Sequence, residues 1–150
     1  MRVVTTYGMS ETAGGCVYDG APLRDVRVRV VPPDLSDPQR GMARPGSDNS
    51  GEVGVVELGG PTLAAGYLGD DDATAAAFRT DADGSRWFRT SDLGRLRPDG
   101  TLQVLGRADD VVVTGGVNVA PAPVEALVGE LLHGEACVVG VPDAEDWSRW

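Results

Sequence analysis

The sequence predicts an α+β fold, in which a β-rich first part is followed near residue 107 by a smaller piece with one helix. Residues 26–30 alternate apolar and charged side chains, which is the period of a half-buried strand. Two strand-like runs flank Pro98-Asp99-Gly100, and this turn chemistry is typical of a β-hairpin over residues 93–105. Residues 124–132 place apolar side chains at helical spacing.

Further strands of the first part are predicted from short β-branched runs. Residues 3–6 form one such run, which leads into Tyr7, and residues 51–58 form another. We expect Gly14 and Gly15 to lie in a loop where side chains are absent. Residues 32–50 are rich in Pro, Asp, Gly and Ser, so they predict a long surface loop.

A short helix is predicted over residues 73–78. The run Asp70-Asp71-Asp72 directly precedes it, and carboxylates in a first turn cap free amides and interact favourably with the helix dipole. The charge run therefore has a structural explanation, and we expect no metal site there.

The second piece is predicted as a loop, a helix and a last strand. Pro123 suits the first position of the helix, and Gly134 suits its end. Residues 136–141 resemble a strand, for which the sequence offers no visible partner. Because about 44 residues are too few for a comfortable core, we expect this piece to be an incomplete domain.

The charge composition excludes several functions. The net charge is -10, which argues against a nucleic acid or an anionic membrane as partner. All thirteen basic residues are arginine, so no catalytic lysine can come from this chain. No apolar run reaches the length of a membrane span. Cys16 and Cys137 lie far apart in the sequence, and we expect both to be reduced packing residues of a cytoplasmic protein.

The segment Tyr7-Gly8-Met9-Ser10-Glu11-Thr12 has side chains suited to a nucleotide. Tyr7 offers a flat face for a purine, and the Ser10 hydroxyl can bond a phosphate oxygen. Glu11 supplies the hard oxygen ligands that Mg²⁺ prefers, and Gly8 allows close approach of the backbone. The alternative is a strand-ending turn with a buried tyrosine.

Two later segments add polar groups of the same kind. Asp92 follows Trp87-Phe88-Arg89-Thr90-Ser91, and a single carboxylate at a strand edge can accept both ribose hydroxyls. Arg107 offers a rigid fork of donors for ribose or phosphate oxygens. The alternatives are an ordinary turn for Asp92 and a solvated loop for Asp109 and Asp110.

In this order and separation, the three segments resemble the AMP-binding adenylate-forming superfamily. It includes acyl- and aryl-CoA synthetases, peptide-synthetase adenylation domains and luciferases. Gly51-Glu52-Val53 with Gly66-Tyr67-Leu68 resembles a fourth motif of that family, and Val139-Gly140-Val141-Pro142-Asp143 resembles a fifth. Residues 14–20 are most similar to the o-succinylbenzoate–CoA ligases of menaquinone synthesis.

The resemblance implies a reaction and a role for each matching residue. The family joins an acid to ATP with Mg²⁺ and then passes the acyl group to a thiol, usually that of CoA. The implied roles are adenine stacking for Tyr7, AMP binding for Gly8 and Ser10, Mg²⁺ ligation for Glu11, ribose binding for Asp92, and ribose or phosphate contact for Arg107. Further implied roles are a domain hinge at Asp109, a CoA channel at Gly115 and Gly116, and an acyl-pocket border at Gly14 and Gly15.

The resemblance also implies a partial chain. Residues 1–106 would be the end of the large AMP-binding domain, with a barrel-like β subdomain, and residues 107–150 an incomplete mobile domain. The family's phosphate loop and two of its lysines have no counterpart here, Pro123 replaces a usual Glu, and Asn118 replaces a frequent Arg. We therefore expect no activity from the isolated chain. The alternatives are an adenylation domain that loads a carrier protein, a non-catalytic remnant, or half of a split enzyme with a separate N-terminal chain.

Overall fold

The computed structural model describes residues 2–32, 51–114 and 117–141. Within them the fold is a mixture of strands and two helices, which confirms the predicted α+β class. The strands are β1 (Thr6–Met9), β2 (Gly14–Tyr18), β3 (Ala21–Pro22), β4 (Arg27–Val31), β5 (Gly54–Gly59), β6 (Phe78–Thr80), β7 (Arg86–Leu96), β8 (Leu102–Arg107), β9 (Val112–Thr114) and β10 (Val117–Val119). The helices are α1 (Asp71–Ala77) and α2 (Pro121–Leu132).

The main sheet is organised around the long strand β7. Its strand order is β4-β5-β7-β6, and β8 also pairs with β7, in every case antiparallel. Register shifts between Val55 and Glu57 and between Leu93 and Gly94 interrupt the ladders of β7. Such bulges bend strands and increase their twist, so β7 carries a curled sheet rather than a flat one.

The core joins this sheet to a smaller one of order β1-β2-β3. Its centre is formed by buried apolar side chains from both sheets, and Tyr7 and Met9 of β1 pack against it. The buried members are Cys16, Val17, Val26, Val30, Val56, Leu58 and Leu102. Because β1 packs on this core, the Tyr7 segment has a fixed position relative to β7 and β8.

Helix α1 is present where a helix was predicted, but it starts two residues earlier than residue 73, within the acidic run, and Phe78 belongs to β6 instead. The Asp70 side chain accepts a hydrogen bond from the amide of Ala73 at 2.8 Å, which caps the helix. Helix α2 begins two residues before Pro123, with Pro121 at its first position. It ends at Leu132, and His133 follows in the left-handed conformation with φ of 52°. The Gly134 amide donates to the Gly129 carbonyl oxygen at 3.1 Å, so Gly134 takes part in the cap as predicted, although the left-handed residue is His133.

Four other local predictions need correction. Gly14 and Gly15 lie in strand β2, where Gly14 pairs with Met9 and Gly15 with Gly8, rather than in a loop. The predicted strand over residues 3–6 lies instead at Thr6–Met9. Residues 136–141 form no strand, because no strand in the described part of the chain pairs with them. The Val138 amide donates instead to Oε1 of Glu125 at 2.9 Å. Cys137 is exposed and does not pack, whereas Cys16 is buried. Residues 33–50 of the predicted surface loop lie outside the described residues.

Candidate nucleotide site

Tyr7 and Asp92 are in direct contact, although 85 residues separate them in the sequence. The Tyr7 hydroxyl donates a hydrogen bond to Oδ2 of Asp92 at 2.7 Å. Burial, together with this hydrogen bond to a carboxylate, raises the pKa of Tyr7 well above its ordinary value, so the phenol stays protonated. Among the described residues no donor reaches Oδ1 of Asp92, which leaves that oxygen available to a ligand hydroxyl.

Asp92 is held in place by Thr90, two residues earlier on β7. The amide of Asp92 donates to the Thr90 hydroxyl oxygen at 3.0 Å, and that hydroxyl donates to the carbonyl of Val56 at 2.9 Å. Thr90 is 3% exposed, so both bonds are shielded from water. Sequence reasoning missed this residue. The signal that could have found it is a threonine two residues before a candidate ligand, since side-chain to backbone hydrogen bonds are common at that spacing.

Arg107 lies directly opposite Asp92 in the ladder between β7 and β8. Its guanidinium Nη2 forms an ion pair with Oδ2 of Asp109 at 3.0 Å, and more than half of each side chain is exposed. The Asp109 carboxylate raises the pKa of Arg107, with smaller contributions from Asp92 and Asp110. The register therefore brings Tyr7, Asp92 and Arg107 together at the end of one pair of strands.

Ser10 and Glu11 lie on a single 3₁₀ turn, Ser10–Thr12, that follows β1 directly. Thr12 fixes this turn, because the Met9 amide donates to its hydroxyl at 3.0 Å and the hydroxyl donates to the Gly14 carbonyl at 2.9 Å. The Ser10 side chain is exposed. Neither Ser10 nor Glu11 forms a hydrogen bond to Asp92 or Arg107 within the described residues, so the two groups are adjacent through β1 rather than by contact.

The glycines of this segment allow the close approach of β1 and β2. A Cβ at Gly8 would overlap the carbonyl oxygen of Gly14, at a point where the ladder carries a register shift. Gly14 itself faces open space and has a φ of +105°, and a Cβ at Gly15 would meet the Thr6 hydroxyl. The Gly8 backbone thus approaches another strand, in addition to any approach to a ligand.

The groove beside Tyr7 has a volume of about 580 Å³. It runs between the β1–β2 pair and the start of β8, and its wall combines Tyr7 and Val17 with the polar side chains of Asp19, Arg97 and Gln103. The predicted CoA-channel residues Gly115 and Gly116 lie outside the described residues. Asp109 lies on the 3₁₀ turn Ala108–Asp110, directly after β8.

A divalent cation here would depend on Glu11 and on the nucleotide itself. No group of three or more His, Cys, Asp or Glu side chains is arranged to hold a metal in the part of the chain that the structure describes. One oxygen of Glu11 accepts a hydrogen bond from the hydroxyl of Tyr67 at 2.7 Å. The other oxygen has no donor among residues 2–32, 51–114 and 117–141. One carboxylate oxygen, completed by phosphate oxygens and water, fits the way Mg²⁺ is usually bound.

Two curated relatives show what kind of protein has this sequence. The chain is 43% identical over 131 residues to the probable 2-succinylbenzoate–CoA ligase of Mycobacterium tuberculosis, and the match covers 86% of this chain and 27% of the relative. It is 35% identical over 143 residues to the sulfoacetate–CoA ligase of Cupriavidus necator, with coverage of 94% and 27%. The chain thus spans about a quarter of the length of these relatives. No protein-family model matches it.

Two solved structures have the same fold over nearly the whole chain. ATP-bound MatB from Rhodopseudomonas palustris is 33% identical with a TM-score of 0.72, and the match covers 95% of this chain and 28% of that chain. O-succinylbenzoate coenzyme A synthetase (MenE) from Bacillus subtilis, in complex with AMP, is 29% identical with a TM-score of 0.70 and coverage of 94% and 29%.

The named relatives are CoA ligases, and the chain is similar to part of them in sequence and to part of MenE in fold. The chain belongs to the AMP-binding adenylate-forming superfamily, as the residues of its three motifs indicate. The structure describes no helix that is long and apolar enough to cross a membrane.

Proposed function

We propose that the chain is the C-terminal part of an ATP-dependent acid–CoA ligase. Such an enzyme activates a carboxylic acid as an acyl-adenylate and then transfers the acyl group to CoA. The observation that carries the proposal is the contact of the Tyr7 hydroxyl with Asp92, opposite Arg107 on the neighbouring strand. An aromatic face, a carboxylate and a guanidinium at one place are the groups needed to hold a nucleoside monophosphate.

The proposal gives each residue of this group a role. Tyr7 stacks on adenine, with the phenol fixed by its bond to Asp92. Asp92 accepts the ribose hydroxyls through its free oxygen, and Arg107 contacts ribose or phosphate. Gly8 and Ser10 bind the AMP phosphate region at the end of β1. Donors fixed in advance stabilise the charge on the α-phosphate better than mobile water does.

Glu11 is the residue of the described chain that would hold Mg²⁺. When bound, Mg²⁺ supplies positive charge that neutralises phosphate oxygens during adenylate formation. Glu11 would hold the cation from the same turn that carries the Ser10 hydroxyl.

The chain divides in this proposal into two functional regions. Residues 1–106 belong to the large nucleotide-binding domain, and residues 107–150 begin a mobile domain that swings about Asp109. Supporting this division, the main sheet ends with β8 at Arg107, and the Arg107–Asp109 ion pair is exposed. Exposed ion pairs are screened by water and stabilise weakly, so this pair holds the turn only weakly in one conformation.

The acyl and thiol sides of the site are assigned to four glycines. Gly14 and Gly15 border the acyl pocket, which is consistent with the open space beside Gly14. Gly115 and Gly116 line the path of the pantetheine arm of CoA, where a Cβ would narrow the channel.

We infer that the acid is 2-succinylbenzoate, so that the enzyme serves menaquinone synthesis. The support is the name shared by relatives from Mycobacterium tuberculosis and Geobacillus, at 43% and 37% identity. We also propose a cytoplasmic location, which is supported by the use of ATP and CoA as substrates.

A chimera tests this function. The matching segment of the 2-succinylbenzoate–CoA ligase of Geobacillus is replaced by the present chain, which aligns over 98% of its length. We expect AMP release and CoA-thioester formation that depend on 2-succinylbenzoate, and slower formation of both products when Asp92→Asn is added. A chimera that folds but does not bind AMP would contradict the proposal.

The isolated chain gives a second test. It contains no lysine, so neither family lysine can be replaced from within, and we expect no acid-dependent ATP–pyrophosphate exchange. Exchange catalysed by the purified chain would contradict the fragment hypothesis. Exchange restored by a separate N-terminal chain would favour a split enzyme, and acyl transfer to a carrier protein instead of CoA would favour a peptide-synthetase-like role.

A further inference from the structure

Glu11 is held by a segment far from it in the sequence. The hydroxyl of Tyr67 donates to Oε1 of Glu11 at 2.7 Å, and the amide of Ala64 donates to the Glu11 carbonyl oxygen at 2.8 Å. One short segment therefore fixes both the backbone and the side chain of Glu11.

This segment is itself anchored to the main sheet. The Arg86 guanidinium donates to the carbonyl oxygens of Ala64 and Ala65 at 2.6 and 2.7 Å, and it lies 4.4 Å from the centre of the Phe78 ring. The Tyr67 ring meets the same Phe78 edge-on, at 5.8 Å between ring centres. Tyr67 is 37% exposed, yet its ring and both sides of its backbone are held.

Gly66 and Thr74 set the direction in which Tyr67 points. The Tyr67 amide donates to the Thr74 hydroxyl oxygen at 2.8 Å, and Thr74 lies on α1. A Cβ at Gly66 would lie 2.6 Å from Cγ2 of Thr74, so a side chain there would displace the segment. The glycine before the tyrosine is thus required by the same helix that fixes the tyrosine.

A tyrosine is well suited to hold a carboxylate that must keep its charge. The phenol is a neutral donor, so it fixes Oε1 by a hydrogen bond. An arginine in its place would add a positive charge beside Glu11. Oε2 stays without a donor among the described residues. The structure thus shows a carboxylate with one oxygen held by Tyr67 and the other without a donor in the described part of the chain.

From this geometry we infer that Tyr67 is a positioning residue, which orients Glu11 so that Oε2 meets a divalent cation bound with the nucleotide. The inference rests on the proposed function and adds to it a residue that acts on the metal through Glu11. It predicts that the loss of the Tyr67 hydroxyl weakens retention of the cation and leaves binding of the nucleotide alone unchanged.

The test uses the full chain, with Mn²⁺ as the cation probe. The paramagnetic resonance signal of free Mn²⁺ is followed with ATP present, and AMP binding is measured separately by calorimetry without divalent cations. We expect Tyr67→Phe to weaken Mn²⁺ retention about five-fold, as for the loss of one hydrogen bond, with AMP affinity unchanged. Tyr18→Phe is the matched control, because Tyr18 is 40% exposed and its loss of a hydroxyl should change neither quantity.

A double-mutant comparison distinguishes positioning from a general structural effect. In the Glu11→Gln background, Tyr67→Phe should have no further effect on Mn²⁺ retention. Should Tyr67→Phe fail to fold, Thr74→Val serves instead, because it removes the acceptor of the Tyr67 amide and should weaken Mn²⁺ retention in the same direction.

Three outcomes would overturn the inference. Equal losses of Mn²⁺ and AMP binding in Tyr67→Phe would show a structural role only. Unchanged Mn²⁺ retention would show that Tyr67 does not act on the cation. Absence of AMP binding by the unsubstituted chain would reject nucleotide binding itself, and the inference with it, which separates failure of the proposed function from failure of the inference alone.

Discussion

The Tyr7 hydroxyl and Oδ2 of Asp92 are 2.7 Å apart. This hydrogen bond between a phenol and a carboxylate joins β1 to the middle of β7. The bond uses one carboxylate oxygen and keeps the phenol protonated. The tyrosine ring and the remaining carboxylate oxygen therefore have a fixed relation before any ligand arrives. Such preorganisation reduces the ordering cost of binding.

Asp92→Asn should weaken AMP binding by about ten-fold. The substitution keeps the size of the side chain and an acceptor for Tyr7, but it removes the charge that strengthens hydrogen bonds from ribose hydroxyls, which contribute about 1.5 kcal/mol or more each. Calorimetric titration of AMP into the full chain measures the change. Asp99→Asn, an exposed carboxylate in the hairpin turn, is the control and should bind AMP as the unsubstituted chain does. Equal AMP affinities for the unsubstituted chain and both variants would show that Asp92 does not contribute to AMP binding.

Gly8→Ala should lower the free energy of unfolding by at least the usual cost of overpacking, which is about 1–3 kcal/mol. The added Cβ overlaps the carbonyl oxygen of Gly14, and backbone cannot move aside as a flexible side chain can. Urea unfolding measures the free energy of unfolding. Gly140→Ala is the matched control, because its Cβ would meet Val112 at an ordinary distance of 3.5 Å. A similar loss in both variants would indicate a general cost of replacing glycine.

Glu57→Ala should cost about 3–5 kcal/mol of unfolding free energy. The Glu57 side chain is only 2% exposed, and it forms ion pairs with Arg29 at 2.7 Å and with Arg89 at 3.0 Å. The Arg89 side chain is itself only 10% exposed. Removing the carboxylate leaves a buried guanidinium without its partner. Arg2→Ala breaks an exposed pair with Asp19 and should lower the free energy of unfolding much less than Glu57→Ala does. Denaturant titrations that gave equal losses would contradict the distinction between buried and exposed pairs.

The Arg29–Asp81 pair predicts a dependence of stability on pH. A hydrogen bond from Arg29 holds the pKa of Asp81 below its ordinary value of 3.8. A carboxyl whose folded-state pKa is lowered stabilises the fold above its unfolded pKa, and this contribution disappears as the pH falls through the folded-state pKa. The urea midpoint of Asp81→Asn should thus lie below that of the unsubstituted chain at pH 7, and the difference should shrink below about pH 4.

The control for this pH series is Glu52→Gln, which removes an exposed carboxylate outside the Arg29 ion pairs. Its urea midpoint should follow that of the unsubstituted chain across the series. A difference for Asp81→Asn that stayed constant down to pH 2 would show that the ion pair does not couple to protonation.

Local chemistry made some elements predictable from the sequence. The acidic run at Asp70 predicts the start of α1 because a cap needs only the next three residues, and the turn Pro98-Asp99-Gly100 likewise predicts the β7–β8 hairpin. Gly14 and Gly15 misled the sequence argument, since glycine pairs usually mark loops. Their place in β2 depends on Gly8 of another strand, and no local pattern records that relation.

The candidate site shows the same limit. Tyr7 and Asp92 were found as candidates because of their chemical types, and the structure adds that they touch. Thr90 and Tyr67 were missed as supporting residues. Thr90 acts through Val56 on a neighbouring strand, and Tyr67 reaches Glu11 across 56 residues, so both depend on sheet register and on packing against Phe78.

The pairing of Asp92 with Arg107 also has a mechanical consequence. Arg107 is the last residue of β8, and its backbone is fixed to β7 by the sheet ladder, whereas the Ala108–Asp110 turn comes immediately afterwards. Any rotation of the chain beyond this strand must therefore pivot after residue 107. In the proposed enzyme, Asp92 would therefore keep its position on the sheet while the segment after the turn changes its orientation.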